Sequence, residues 1–402
     1  MHYNLLYYGV NNSWCNQTNN NIQLKNASLR TIIDYVQPDI FTVNEISSSV
    51  AYHDMILDSV FNINGVTKYQ RGVLTNYSST SIVNQLYYDS EKFAIANQYA
   101  LVGGDRDINV YKMYYKSPEL GWSTDTVFIT FIVAHLASGS YSQDIQDRDD
   151  EVAIVMNHMG TLPSPNNYVF QGDFNFYTSS EGGFQRIINN SNANIRFFDP
   201  PNKVGAWSDN STYAEYHTQS THTTGDCFIG GGLDDRFDFI MTSLPIIMDS
   251  YKVKYVPNSY TTPGQDGQRL NQSLIDSPTN TSAPGEVIQA LYNMSDHLPV
   301  YLDLRIDQIP ANITESFQTQ FSMIAENPVD QIIRLHFFLK GHEDVIVSLF
   351  DLTGRNMFSD NFRIHQYDNI VEIQAGWLAQ GVYVLHVSNG KSFQQSVKVL
   401  KL

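Results

Sequence analysis

The chain has 402 residues, 42% hydrophobic and 13% aromatic, enough apolar material for a packed core, which argues against disorder. Its 41 acidic and 24 basic side chains give a net charge of −17, and no cluster of Lys and Arg offsets it. Polyanions are repelled at long range, which weighs against tight non-specific DNA binding but leaves room for a site where a cation supplies positive potential locally. No apolar run reaches the roughly 18 residues a membrane helix needs, and the length suits one large and one small domain.

From residue 3 to about 305, apolar strands alternate with amphipathic helices. The chain enters directly on the strand-like Tyr3-Asn4-Leu5-Leu6-Tyr7-Tyr8, with no basic region followed by an apolar one, so no signal peptide is visible. Leu24, Leu29, Ile32, Ile33 and Val36 recur at helical spacing and Pro38 closes that segment. Residues 39–45 read as a strand ending in Glu45. Val50, Asp54, Leu57 and Val60 suggest a second helix, after Ser48 and Ser49 as caps. Strands follow at 81–89, 111–115 and 127–135, the last being the clearest buried strand and ending in His135. Ile145, Val152, Val155 and Met159 mark a helix, and 168–173 is the strand into Asp173. A short helix at 184–188, a polar region over 199–232 and a strand over 236–241 come next. A Ser/Thr/Pro/Gly/Asn-rich loop spans 257–286, long enough to be a lid or rim.

After Arg305 the texture changes. Residues 306–324 read as a linker, and beyond it only strands recur, at 331–339, 345–351, 370–374, 382–387 and 396–400. Thr353-Gly354 and Asn389-Gly390 are turn signals. About 75 residues of strands and tight turns make a small β-sandwich. The domains are thus 1–305, a linker 306–324 and 325–402. Cys15 and Cys227 are the only cysteines; the sequence leaves open whether they pair, and they lack zinc-ligand spacing.

Two strings carry the chemistry. Gln171-Gly172-Asp173-Phe174-Asn175-Phe176 places an acid and an amide at i and i+2 after the apolar run 168–170. Ser295-Asp296-His297-Leu298-Pro299 places an acid and an imidazole before the apolar run 300–302. With Glu45 as a hard oxygen ligand for Mg²⁺ or Mn²⁺, this is equipment for metal-assisted attack of water on phosphorus. Asp173 would be the base or water-orienting acid and Asn175 a donor to phosphate. Asp296 would fix the tautomer of a catalytic His297 or bind the metal. Taken singly, a strand-end Glu is usually solvated, and a His on an apolar strand is usually a satisfied core residue.

The ordered set Asn4, Glu45, His135, Asp173/Asn175, Arg236-Phe237-Asp238 and Asp296-His297 resembles the endonuclease/exonuclease/phosphatase superfamily, which includes DNase I-like nucleases, over residues 1–305. The resemblance implies an α/β fold, a four-layer α/β/β/α sandwich of two packed mixed sheets flanked by helices. It implies a metal site of Asn4, Glu45 and Asp296, and catalytic roles for His135, Asp173, Asn175, Asp238, Asp296 and His297. In those roles His135 donates to phosphate, Asp173 and Asn175 position water, and Asp238 supports the cluster. Asn44 stands where the family commonly has Gln, and Asp235 competes with Asp238 for one position. No basic DNA-binding insertion is evident; Arg106, Lys112, Lys116 and Arg148 are scattered and read as solvated surface.

The C-terminal strings Asn327-Pro328-Val329, 349–355, 381–385 and 398–402 resemble a type IX secretion sorting domain, of the kind found in Bacteroidota. That implies engagement with the secretion machinery and delivery to the cell surface or beyond. The expectation is therefore an exported, monomeric, Mg²⁺- or Mn²⁺-dependent phosphodiesterase, a nuclease with nucleic acid as substrate. The alternatives are a phosphomonoesterase or a phospholipid or inositol-phosphate esterase, and, third, a non-catalytic surface binding protein.

Overall fold

The computed structural model describes residues 1–116, 126–307, 322–325, 329–338, 342–365, 370–390 and 394–402. The chain divides into two units, Met1–Ala311 and Asn312–Leu402. In the first, β1 (His2–Tyr8), α1 (Ile22–Val36), β2 (Ile40–Ser47), α2 (Val50–Ile56), β3 (Tyr69–Arg71) and β4 (Ile82–Asp89) build a mixed sheet of order β1-β2-β4-β3. Then β5 (Phe93–Leu101), β6 (Ile108–Tyr115), β7 (Phe128–His135), α3 (Ser142–Met159), β8 (Tyr168–Asp173), α4 (Gly182–Ile188), β9 (Phe197–Phe198) and β10 (Asp238–Ser243) build a second, of order β5-β6-β7-β8-β10-β9. The unit closes with α5 (Leu244–Met248), β11 (Val253–Tyr255), α6 (Gly285–Met294) and β12 (Leu304–Ile306), β11 and β12 pairing antiparallel.

Strand alternation sorts the core into three slabs. Tyr3, Leu5, Phe41 and Val43 face Leu29, Ile32, Ile288 and Leu291 of α1 and α6. Ile132, Phe170, Phe239 and Met241 face Val152, Val155, Met156 and Phe184 of α3 and α4. Between the sheets lie Leu86, Tyr88, Phe131, Val133, Val169 and Ile240. The order is helices, sheet, sheet, helices: the four-layer α/β/β/α sandwich.

The second unit contains β13 (Ser322–Ala325), β14 (Ile332–Phe338), β15 (His342–Phe350), β16 (Asn356–His365), β17 (Ile370–Gln374), β18 (Gly381–Ser388) and β19 (Gln394–Lys401). They form antiparallel sheets of order β13-β14-β17 and β16-β15-β18-β19. Ile333, Leu335 and Ile373 of one meet Val347, Leu349, Leu385 and Val387 of the other in one core. The Asn327-Pro328 string and most of the expected linker lie outside the described residues.

Several boundaries differ from expectation. β5, β16 and α6 differ from the sequence reading: β5 is mostly half-buried with Ala96 and Asn97 exposed at its centre, β16 is polar and largely exposed, and α6 lies at the end of what reads as loop. Residues 300–302 form isolated bridges to His2 and Thr261, not a strand. The 257–284 segment is tied into the fold by hydrogen bonds and burial. Arg269, 1% exposed, donates to Asp276 O and Pro278 O, Ser273 Oγ donates to Thr221 O, and Leu274 is buried in the first core slab. Among the described residues no helix is long and apolar enough to cross a membrane.

Candidate functional site

The alternation that sends Phe170, Phe239 and Ala134 toward the outer helices turns Asp173, Asp238 and His135 into the seam between the sheets. Register lines them up, His135 opposite Asp173 across β7–β8 and Asp173 opposite Asp238 across β8–β10. Gly172 makes the close pairing possible. A Cβ there would sit 1.8 Å from Ala134 O, and its φ of 153° disfavours any side chain. From the facing sheet, Asn4 of β1 and Asn44 of β2 are in register and point into the same seam.

A bulge completes the site. Between Asn4 and Tyr8, β1 advances four residues while β2 advances only from Asn44 to Ile46, and Leu6, Tyr7 and Glu45 take φ of 43°, 49° and 58°. Such backbone is unfavourable for these residues and needs surrounding support. Tyr7 N–H donates to Glu45 Oε2 (3.1 Å), Leu6 N–H to Asn4 Oδ1 (3.0 Å), and buried Lys25 Nζ to Leu5 O, Leu6 O and Met294 O at 2.7, 2.9 and 2.6 Å.

The side chains converge. Asn4 Nδ2 donates to Asp173 Oδ2 (2.9 Å) and Glu45 Oε1 (3.1 Å). His135 Nε2 lies 3.6 Å from Asp173 Oδ2 and 3.8 Å from Glu45 Oε1. Ligand atoms of Glu45, His135 and Asp173 all fall within 4.8 Å of one another. His297 Nδ1 is 2.7 Å from Asp238 Oδ2, and its Nε2 is 2.8 Å from Gln219 Nε2 and 3.7 Å from Asp173 Oδ2.

The electrostatics follow from burial. Burial, then the charges of Asp238 and Glu45, push the Asp173 carboxyl up to about 7, against the pull of His297 and Asn4. Burial alone would lower His297, but Asp238 and Asp173 outweigh it and hold its pKa well above the usual imidazole range. His135 is driven well below that range by burial, then by Arg106, His297 and His2, so it stays neutral. Two carboxylates and a neutral imidazole, in a buried seam where Asp173 resists ionising unaided, suit a divalent cation.

Some expected roles change. Asp238, not Asp296, holds His297 Nδ1; Asp296 Oδ2 instead accepts Ile229 N–H at 2.9 Å and stands outside the three-ligand group. Asn4 turns its nitrogen to the acids, so it organises them rather than offering its oxygen. Asn175 spends one N–H on Leu136 O (3.1 Å). Asp238 is in the seam, whereas Asp235 is drawn to Ser208. Arg106 is not simply solvated, since it donates to His135 O at 3.4 Å; Arg148 is fully buried on Glu181.

Other participants went unrecognised in the sequence. Asn44 Oδ1 accepts Asp173 N–H (2.8 Å) while its amide reaches Asn84 (2.7 Å), tying the sheets behind the acids. Gln219 carries no local signal. Lys25 does, as a cation on the inward face of α1 one turn before Leu29. Cys15 and Cys227 form a disulfide across 212 residues, joining the loop after β1 to the loop that supplies Ile229.

Residues 326–401 match the family model for a secretion system C-terminal sorting domain, which implies export. No curated protein matches the chain. Similar solved structures include an endonuclease/exonuclease/phosphatase from Beutenbergia cavernae, 14% identical over 99% of this chain and 98% of that one, TM-score 0.47. A humanized D. rerio TDP2 is 12% identical over 76% and 97%, TM-score 0.45. A Bacteroides thetaiotaomicron mannosyl-6-phosphatase is 13% identical over 75% and 97%, TM-score 0.44.

Proposed function

We propose that the chain is an exported, divalent-metal-dependent phosphoesterase that cleaves phosphodiesters, a nuclease that is delivered by a type IX machinery to the cell surface or released. The observation that carries this is the convergence of Glu45, His135, Asp173, Asp238 and His297 on one end of the seam between the sheets.

Glu45 and Asp173 would hold the cation, with neutral His135 completing the set, and Asn4 keeps the two carboxylates in register. A bound divalent cation supplies positive charge that neutralises phosphoryl oxygens in the transition state. With the cation bound, Asp173 would be ionised and would orient the attacking water. Asp238 keeps the proton on His297 Nδ1 and turns Nε2 to the cleft, where it accepts from Gln219 Nε2; a phosphoryl oxygen that displaced Gln219 would take an N–H from the protonated ring. Asn175 keeps one amide N–H for the same purpose.

A second reading, a phosphomonoesterase or an inositol-phosphate or phospholipid esterase, is favoured by the net charge of −17, which repels long polyanions. A substrate panel with Mg²⁺ or Mn²⁺ tests both: double- and single-stranded DNA, RNA, inositol phosphates, phospholipids and an aryl phosphate. Turnover of a nucleic acid that vanishes in EDTA is expected. Turnover confined to small esters selects the second reading, and undiminished turnover in EDTA defeats the metal mechanism.

A further inference from the structure

Behind the Asp238–His297 pair lies a titratable side chain that the chemistry above does not use. His2 and Asp238 are both fully buried. His2 Nε2 and Asp238 Oδ1 each lack a hydrogen-bond partner, and they face each other at 3.6 Å. That gap is too short for an intervening water and slightly too long for a formed hydrogen bond. The other edge of each group is occupied: His2 Nδ1 is 3.0 Å from Thr42 Oγ1, and Asp238 Oδ2 is 2.7 Å from His297 Nδ1. The backbone of His2 also bonds Val300 in both directions, at 2.8 and 3.0 Å, three residues past His297.

We propose that His2 is a positioning residue for the His297–Asp238 pair, a neutral imidazole whose Nε2–H is directed at Asp238 Oδ1 and closes to a hydrogen bond in the working enzyme. The tautomer follows from the partners. If Nδ1 carried the proton, the Nε2 lone pair would face a buried carboxylate oxygen, leaving both unpaired at a cost. With the Thr42 hydroxyl donating to Nδ1, Nε2–H is left for the acceptors near it, Asp238 Oδ1 at 3.6 Å and the Asn44 side chain. Burial, which lowers His2 to about 4, keeps that imidazole neutral. A carboxylate held at both oxygens cannot rotate, so Asp238 keeps its aim on His297; outer partners of this kind orient the groups they support. Hydrogen bonds in such rows are often long before substrate binds and tighten with it.

The inference rests on the phosphoesterase reading for its kinetic arm only. In the ¹⁵N-labelled full chain without added metal, long-range ¹H–¹⁵N correlation at pH 7 should show His2, assigned by its loss in His2→Gln, as the Nε2–H tautomer. An Nδ1–H form or an imidazolium overturns the proposal. On whichever ester the panel identifies, His2→Leu should lower kcat by about 10- to 100-fold with KM changed less than about threefold. His2→Gln, which places an amide N–H near the Nε2 position, should restore most of that loss. A kcat for His2→Leu within about threefold of wild type, or a Gln variant no better than Leu, defeats it. Should His2→Leu fail to fold, the tautomer and the Gln variant decide. Should no substrate be found, the tautomer decides alone, separating this failure from that of the proposed function.

Discussion

At the scale of single residues, sequence adjacency is a poor guide to who serves whom. Ser295 is fully extended, with φ −157° and ψ 157°. Asp296 follows at a bend, and the two neighbouring side chains part there. His297 takes the seam and Asp296 turns back to Ile229 N–H. Asp238, distant in sequence, reaches His297 because it begins an antiparallel strand directly opposite Asp173. Asp173, His135 and Glu45 were legible as acids and an imidazole at strand ends; the pairing was not, because it depends on register between sheets. The variants should separate these roles. Asp173→Asn and His297→Ala should each lower turnover by about two orders of magnitude or more, as loss of a general acid–base group does. Asp296→Asn keeps an oxygen for Ile229 N–H and should lose less than about tenfold. Steady-state kinetics on the same substrate compare them, and an Asp296→Asn loss equal to that of Asp173→Asn would return Asp296 to the reacting centre.

At the scale of elements, the helix α1 was readable from its apolar spacing; the structure adds its cap, Asn21, whose side chain accepts from Gln23 and Leu24 N–H. Its functional contribution was not, because a lysine on a helix is ordinarily solvated. Lys25 is 1% exposed, and its three N–H groups are matched by three carbonyls, two on the strained bulge of β1 and one at the end of α6. Burial lowers it to about 7, while Asp296 and Glu45 pull the other way. The side chain thus ties the strand that carries Asn4 to the segment that carries His297. Lys25→Met fills similar volume but strands those carbonyls, so urea unfolding should show a loss on the order of 3 kcal/mol. A loss below about 1 kcal/mol would mean that water or backbone relaxation satisfies the carbonyls without Lys25.

Across the whole molecule, each unit buries its own core. What composition could not reveal is how the first unit holds its histidines. His53 donates Nε2–H to Ser47 O (2.8 Å) and accepts at Nδ1 from Gln85 Nε2 (3.1 Å), so a second proton would oppose the Gln85 donor. Burial lowers it from 6.5 to about 4. His222, stacked between Phe228 and Tyr292 at 4.1 and 3.9 Å, is lowered to about 4 by the same cause. Between those values the unfolded chain takes up protons that the fold refuses, so the stability each contributes is complete above about 6.5 and is lost as pH falls toward 4. Asp173, raised to about 7, and Asp234, raised to about 6, act in the opposite direction, since the fold keeps protons that the unfolded chain releases. The total pH profile therefore mixes signs, and a difference measurement is needed. His53→Gln retains a donor for Ser47 O and does not titrate. The Tm of wild type minus that of His53→Gln should be flat above pH 6.5 and fall steadily between pH 6.5 and 4. A difference that stays level across that window would mean His53 accepts its proton in the folded chain as readily as in the unfolded one.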